Sequence, residues 1–256
     1  MIHLPRPLQL KKSLGQHFLK DEQVCRRIVD SLKQFPYTQL LEIGPGAGAL
    51  TKYLVSQDGI AFRAVEIDRE KVAYLKSHYP ALDDRIIEAD FLQMEKPFEG
   101  PFTIVGNFPY NISTEILFKI LGWREDVERV TGMFQKEVAL RIAAGEGNKI
   151  YGVTSVLLQA FFNVEYLFEV SEQAFNPPPK VKSAVVRLTP LKDPPPIRTE
   201  KMFFLLVKTA FNQRRKTLRN AVKGLFTAEY LKDPLFDKRA EQLTIVQFAE
   251  LTWKMK

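Results

Sequence analysis

Apolar segments alternate with amphipathic segments between residues 39 and 144, and this alternation constrains the fold more than any other feature. Segments that are apolar almost throughout predict strands buried on both faces, as in a parallel sheet covered by helices. The strands are expected at 39–44, 62–68, 85–90, 102–107 and 129–135, and the helices at 48–57, 69–79, 113–122 and 136–144. The alternation therefore predicts an α/β fold with a parallel sheet that is covered by helices on both faces.

A proline-rich segment separates this region from the end of the chain. Residues 190–198 read PLKDPPPIR, and consecutive prolines flanked by charges are typical of a linker. Only helical patterns follow it. We therefore expect a first domain over residues 1–190 and a small all-helical domain over residues 199–256.

Basic residues are concentrated at the two ends of the chain. The first 20 residues carry four basic and no acidic side chains, and residues 199–256 carry twelve basic and six acidic ones. The formal net charge of the whole chain is +7, so the residues between the two ends are slightly acidic. This distribution predicts a polyanionic partner, most simply nucleic acid, although a solvated charged surface is the alternative.

Several classes of protein are disfavoured by the sequence. No apolar segment is long enough to cross a membrane, and no apolar stretch of a signal peptide follows the first basic residues. The single cysteine and the three scattered histidines predict neither a disulfide nor a metal site. We expect a cytoplasmic monomer without a metal.

A glycine-rich turn follows the first predicted strand. Gly44 and Gly46 in LLEIGPGAGAL allow the backbone to approach a ligand closely, and the spacing up to Ala49 also fits a relaxed dinucleotide fingerprint. Glu66 and Asp90 end the next two strands, and the ends of parallel strands meet at one crevice. One carboxylate can accept hydrogen bonds from ribose hydroxyls, and the other can accept from an adenine amine. This pair favours S-adenosylmethionine over the alternative, NAD.

The fourth predicted strand ends in the unusual turn GNFPYNIS. Asn107 and Pro109 are common in ordinary turns, which is the alternative interpretation. However, the Asn107 side-chain oxygen and the Pro109 carbonyl can each accept one hydrogen of an adenine amine, which favours a nitrogen lone pair directed at a methyl donor. Tyr110 can stack on a base that has left its own stack. The turn predicts adenine N6 methylation by positioning, with Asn107, Pro109 and Tyr110 as catalytic residues.

The tail contains a segment with two stripes at helical spacing. Apolar residues form one stripe of 208–226, and the other contains Arg215, Arg219 and Lys223 at four-residue steps. A basic stripe on a helix predicts contacts with RNA phosphates. With Lys11 and Lys12 of the basic N-terminal arm, it is expected to hold RNA on either side of the active site.

These motifs together resemble the small-subunit ribosomal RNA adenine N6,N6-dimethyltransferase family. The matching segments run in order from residue 11 to residue 220: KKSLGQHFL, LEIGPGAGALT, VEIDRE, GNFPYNIST, FQKEVALRI, YGVTSVLLQ, FNPPPKVKSAVVRL and FNQRRKTLRN. The resemblance implies a Rossmann-like, S-adenosylmethionine-dependent methyltransferase domain followed by a small helical domain. It also implies dimethylation of two adjacent adenosines near the 3′ end of small-subunit (16S) rRNA during maturation of the subunit.

The resemblance also assigns residues by their matching motifs. Phe175 would be a second aromatic residue near the target base. The chain departs from the family at Phe108, where leucine is common, and at His17, where asparagine is frequent. The implied cofactor contacts are His17, Leu19, Gly44, Gly46, Glu66, Asp90 and Asn107.

Three other functions remain open from the sequence. Erythromycin-resistance methyltransferases, which modify large-subunit rRNA, look similar, but FNQRRKTLRN and the three prolines at 177–179 favour the small-subunit type. A ribosome-assembly factor with methylation as a secondary role is a second alternative. A DNA adenine methyltransferase would share the GNFPY turn, but no separate region for target recognition is visible.

Overall fold

The structure, a computed structural model, describes residues 17–256, which form two compact units. Unit 1 contains the described residues up to Ala139 together with Glu165–Pro190, and unit 2 contains Leu140–Val164 and Leu191–Lys256. The division differs from the expected domains, 1–190 and 199–256, because 140–164 joins the C-terminal unit. Within unit 2 the Tyr151 hydroxyl donates to the Leu243 carbonyl at 3.2 Å. The sequence pattern shows the helices of 140–164 but not which core they join.

Unit 1 is built on a mixed sheet. The large sheet comprises β2 (Gln39–Ile43), β3 (Ala61–Glu66), β4 (Ile86–Glu88), β5 (Phe102–Asn107), β6 (Val127–Gln135), β7 (Phe162–Val170) and β9 (Ser183–Pro190), and β1 (Phe18–Leu19) pairs separately with β8 (Phe175–Asn176). The order in the large sheet is β4-β3-β2-β5-β6-β9-β7. The first five are parallel neighbours, and β9 is antiparallel to β6. The predicted α/β sheet is confirmed.

The helices of unit 1 cover the sheet on both faces. They are α1 (Glu22–Leu32), α2 (Thr51–Leu54), α3 (Arg69–His78), α4 (Ser113–Gly122) and α5 (Lys136–Ile142), of which the last continues into unit 2. Successive residues of the central strands, such as Ile104 and Val105, are all completely buried. The helix predicted at 48–57 shortens to α2, because Gly48 has a φ of 86° and turns precede Thr51.

From residue 191 onward, the described chain contains helices and no strand, and unit 2 also includes one helix from before this point. Unit 2 contains α6 (Val153–Gln159), α7 (Glu200–Asn212), α8 (Leu218–Ala221) and α9 (Ile245–Thr252). The expected linker packs on this unit, since the Trp253 indole donates to the Pro196 carbonyl at 3.0 Å and Arg198 donates to the Met255 carbonyl at 3.0 Å. No helix described in either unit is long and apolar enough to cross a membrane.

The continuous helix predicted over 208–226 is wrong. Helix α7 ends at Asn212, and α8 contains only four residues. The chain turns between them, where the Arg214 guanidinium donates to the carbonyls of Lys149 and Tyr151. The basic residues of the tail therefore do not form one stripe on one helix.

Two glycines allow a phenylalanine to pack against the sheet. Gly106 of β5 pairs directly with Gly132 of β6, and the Phe108 ring lies against both. A Cβ atom on Gly106 would lie 2.5 Å from the Ile43 carbonyl oxygen and 2.6 Å from the Phe108 ring. Both contacts are too short for carbon, so the packing requires glycine.

We expect Gly106→Ala to reduce the free energy of unfolding by about 1–3 kcal/mol or more, because a backbone oxygen cannot move away as a flexible side chain can. Gly122→Ala is the matched control, since nothing lies within 4 Å of the added Cβ on this helical residue. Its effect should stay within about 1 kcal/mol. Denaturant titration of both variants measures the difference, and equal stabilities would contradict the packing argument.

Candidate active site

A cavity of about 290 Å³ lies at the carboxyl ends of β2, β3 and β5. The chain runs from β2 to β3 and β4 on one side and returns to β5 on the other, so the strand order reverses between β2 and β5. Loops diverge at such a reversal and leave a crevice for a ligand. Nine residues predicted for the site line this cavity: His17, Leu19, Gly44, Gly46, Glu66, Asp90, Asn107, Pro109 and Tyr110.

Glu66 connects the glycine loop to the start of the next helix. Its Oε2 accepts the Gly46 N–H at 3.3 Å, and its Oε1 accepts the Asp68 N–H at 3.0 Å. Gly44 and Gly46 have φ values of 67° and 59°, which glycine adopts without steric cost. The two bonds fix a carboxylate that is only 6% exposed, and each oxygen keeps a lone pair for a hydroxyl donor.

Apolar side chains line the cavity together with Glu66 and Asp90. The Asp90 Oδ1 accepts the Leu92 N–H at 2.9 Å, which holds this carboxylate in place. Ile67 lines the cavity with Phe91 and is 55% exposed. An open apolar surface beside fixed carboxylates suits a flat ring with polar edges. The sequence analysis missed Ile67, whose only signal is its position directly after Glu66.

Residues 17–19 cover one side of the cavity. Strand β1 pairs with β8 in antiparallel orientation, and the His17 Nδ1 donates to the Pro177 carbonyl oxygen at 2.9 Å. A carbonyl only accepts, so Nδ1 carries the ring proton. His17, at which the chain departs from the family pattern, is therefore held through its side chain by the backbone of Pro177.

Asn107 is oriented by the same segment. Its Nδ2 donates to the His17 carbonyl oxygen at 3.3 Å. Because a carbonyl cannot donate a hydrogen bond, the amide nitrogen of Asn107 must be the atom that contacts His17. The amide oxygen, Oδ1, then remains as a hydrogen-bond acceptor. The contact through the His17 backbone does not depend on which side chain stands at that position.

The turn after Asn107 places a carbonyl and an aromatic ring beside it. The Pro109 carbonyl accepts the Ile112 N–H at 3.3 Å, which uses one of its two lone pairs. The Tyr110 hydroxyl is hydrogen-bonded to the Ser183 hydroxyl, and the Tyr110 ring centre lies 5.8 Å from that of His17. Burial raises the pKa of Tyr110, and the bond to Ser183 opposes this shift.

Ser183 is a site residue that the sequence analysis did not identify. It lies 73 residues from Tyr110 and is completely buried. Only its position in the motif FNPPPKVKSAVVRL pointed to it. Phe108, at which the chain departs from the family pattern, lines the cavity and packs edge-on against Phe134, with ring centres 5.1 Å apart.

Phe175, in β8, was predicted to lie near the target base. It is completely buried in the core, and it does not line the cavity. Successive side chains of a strand point to opposite sides, and in β8 it is Asn176 that is exposed. Phe175 pairs with Leu19, which lines the cavity, and its place beside a target base stays a prediction.

Two buried charged residues also line the cavity without having been predicted as site residues. Glu42 on β2 is 2% exposed, and its Oε2 accepts from the Thr51 hydroxyl at 2.7 Å. Burial raises the pKa of Glu42 to about 8; the Thr51 bond opposes this shift and the Glu66 carboxylate adds to it. Lys71 on α3 is 4% exposed, with its Nζ 5.5 Å from the Phe18 ring centre.

The three described positions that were predicted to bind RNA do not line the cavity. The Arg219 Nη2 lies 2.8 Å from the Asp237 Oδ1, so this arginine has a partner within unit 2. Arg215 lies in the turn after α7, and Lys223 follows α8; both are exposed. Lys11 and Lys12 lie outside the described residues.

We expect the stability of the protein without ligand to fall as pH rises from about 5 to 8, because folded Glu42 retains a proton that the unfolded chain has already lost. Glu42→Gln keeps the shape and cannot ionise, so its free energy of unfolding should depend less on pH in this window. Urea titrations at three pH values compare it with the surface control Glu95→Gln. An unchanged pH dependence in Glu42→Gln would show that Glu42 is not protonated when folded.

Comparison with known proteins identifies the family. The model of the family described as ribosomal RNA adenine dimethylase matches residues 8–252. A Cytophaga hutchinsonii protein named ribosomal RNA small subunit methyltransferase A is 53% identical over 249 residues, 96% of this chain and 96% of that protein. A Bacteroides thetaiotaomicron protein of the same name is 53% identical over 247 residues, 94% of this chain and 92% of that protein.

Two solved structures are similar over most of the chain. A dimethyladenosine transferase from Plasmodium falciparum has a TM-score of 0.78 at 25% identity, covering 92% of this chain and 96% of that one. The 23S rRNA methyltransferase ErmE has a TM-score of 0.68 at 25% identity, covering 91% and 99%. Given the extent of the family match and the identity to the relatives, this chain belongs to the ribosomal RNA adenine dimethylase family.

Proposed function

We propose that this protein transfers methyl groups from S-adenosylmethionine to the N6 amines of two adjacent adenosines near the 3′ end of small-subunit rRNA, during maturation of the subunit. The observation that carries the proposal is the orientation of Asn107. Its Nδ2 is engaged by the His17 carbonyl, which leaves Oδ1 as an acceptor in the cavity wall. The names of the two relatives support the small subunit as the source of the RNA.

The cavity fits the groups of S-adenosylmethionine. The fixed Glu66 carboxylate can accept from two ribose hydroxyls, Asp90 can accept from the adenine amine, and the exposed Ile67 offers a flat apolar contact for the ring. Gly44 and Gly46 of the glycine loop line the same cavity, and without side chains they let a ligand approach the backbone closely. When bound, the cofactor supplies an electrophilic methyl group on a sulfonium.

The residues of the GNFPY turn prepare the amine for attack. The Asn107 Oδ1 and the second lone pair of the Pro109 carbonyl each accept one amine hydrogen, so the nitrogen lone pair turns out of the plane of the base. The Tyr110 ring offers a stacking surface worth about 1–3 kcal/mol to a base that has left its own stack. These groups act by positioning, which lowers the barrier without a protein nucleophile.

The basic ends of the chain are proposed to bind the rest of the RNA. Arg215 and Lys223 are exposed and carry the same charge, whereas Arg219 must exchange Asp237 for a phosphate. Lys11 and Lys12 would contribute from the N-terminal arm. The protein is proposed to act as a monomer in the cytoplasm, where small subunits mature.

The second candidate function is methylation of large-subunit rRNA, favoured by the similarity to ErmE. Methyl transfer from labelled cofactor to isolated small and large subunits, followed by mass mapping of the modified nucleotides, separates the two functions. The expected product is N6,N6-dimethyladenosine at two neighbouring positions of small-subunit rRNA. Label found only in large-subunit rRNA would establish the second function instead.

We expect Asn107→Ala to lower turnover by roughly two to three powers of ten, because a fixed hydrogen-bond acceptor of the transition state is lost. Turnover is measured at saturating cofactor and RNA, and cofactor affinity is measured separately because the bond to His17 is also lost. Asn163→Ala, a surface asparagine of β7, is the control. Near-normal turnover of Asn107→Ala would remove Asn107 from the mechanism.

We expect Glu66→Ala to weaken cofactor binding by about 1.5–3 kcal/mol, since it removes a charge-assisted acceptor. Titration calorimetry measures the affinity. Glu66→Gln, which retains one acceptor oxygen, should lose less than the alanine variant. Equal affinities of wild type and both variants would place the ribose elsewhere.

A further inference from the structure

Two lysines of unit 1 share one carboxylate next to the candidate active site. Lys136 and Lys182 each form an ion pair with Glu169, the latter at 2.5 Å between Nζ and Oε1. The two ion pairs hold the pKa of Glu169 below its usual value, with the hydrogen bond from Lys136 as the larger cause. Lys180 and Val181 precede Lys182 and are both exposed. One lysine thus follows β6 and two precede β9, and a single carboxylate pairs with two of the three.

The backbone places these lysines beside Tyr110. Gln135, at the end of β6, pairs with Ser183, at the start of β9, and the Ser183 hydroxyl is bonded to that of Tyr110. Lys136 directly follows Gln135, Lys182 directly precedes Ser183, and the Lys136 N–H donates to the Lys182 carbonyl at 2.9 Å. The lysines are therefore neighbours in sequence and in space of the residues that hold the Tyr110 ring.

This surface carries three lysines, and the exposed Glu137 directly follows one of them. Lys136, Lys180 and Lys182 oppose Glu169, and Glu172 is the other carboxylate that acts on Lys182. A base stacked on Tyr110 remains joined to its sugar and phosphates, which must lie outside the cavity. Phosphates in this position would meet the lysines as they leave the cavity.

We propose that Lys136, Lys180 and Lys182 form a lysine rim that binds RNA phosphates next to the target adenosine. Glu169 holds two of these side chains in place before the RNA arrives, and the phosphates then compete with it for them. This inference rests on the proposed RNA substrate, and it adds a contact surface in the catalytic unit to those expected at the two ends of the chain.

The first test removes the charge of the rim. In the triple variant Lys136→Gln, Lys180→Gln and Lys182→Gln, the log–log salt dependence of binding to unmethylated small subunits should become shallower by roughly two to three, at about 0.7–0.9 per phosphate contact. The KM for the RNA should rise, while turnover at saturating RNA and cofactor affinity stay near wild type. An unchanged salt slope would overturn the proposal.

A matched control removes the same charge elsewhere in unit 1. Lys33, Lys76 and Lys96 also form ion pairs with acidic residues, and none of them is adjacent in sequence to the strand ends at Gln135 and Ser183. Their triple glutamine variant should keep most of the wild-type salt slope. If both triple variants lose the same slope, the effect reflects net charge alone and the rim is refuted.

A second test changes the affinity in the opposite direction. Glu169→Gln removes the competitor of the phosphates and should increase affinity for the small subunit several-fold at low salt. If the ion pairs serve only to pack the loop, the same variant would show no gain in affinity, and an unchanged or lower affinity would overturn the proposal. Circular dichroism confirms that each variant is folded.

Failure of the rim and failure of the proposed function give different results. Wild type is assayed for methyl transfer to the same small subunits. If wild type transfers methyl groups while the rim variant keeps its salt slope, only the rim is wrong. If wild type transfers none, the proposed function is wrong, and the rim, which depends on it, is wrong as well.

Discussion

The reversal of strand order between β2 and β5 is the constraint on which the site depends. The connections after β2 and β5 leave in opposite directions. They therefore do not cover the carboxyl ends of the two strands, and a crevice remains between them. The glycine loop lines that crevice because it follows β2, and Glu66 and Asn107 line it because they end β3 and β5. Parallel strands buried on both faces keep the crevice rigid, because their side chains are packed on either side.

Several hydrogen bonds of the site serve both structure and chemistry. Glu66 closes the glycine loop through Gly46 and remains available to hydroxyl donors. Asn107 anchors the backbone of residue 17, and the same bond determines which of its amide atoms is free to accept. When one atom of a polar group is held by a hydrogen bond, the other atoms of that group are already oriented before a ligand binds. Such orientation lowers the activation barrier, because it does not have to be established during the reaction. The lysine rim would extend this preparation to the RNA backbone.

The site was predicted where the information is local, and missed where contacts are distant. Gly44, Glu66, Asp90 and Asn107 end strands, so the strand pattern alone brings them to one edge. Phe175 was assigned by motif, but the alternation of side chains in β8 turns it into the core. The prediction of a basic stripe in the tail assumed one unbroken helix. In the structure the chain turns between two helices, and Arg214 lies in that turn.

The sequence by itself determined the five parallel strands β2 to β6, the helices α3, α4 and α5, the glycine loop and the GNFPY turn, because hydrophobic periodicity and turn residues act over a few neighbours. Only the tertiary structure decided that 140–164 joins the C-terminal unit, that Ser183 holds Tyr110 and that Glu169 lies between two lysines. These contacts join residues far apart in the chain. They follow from which strands pair and in which register, and no local pattern specifies that choice.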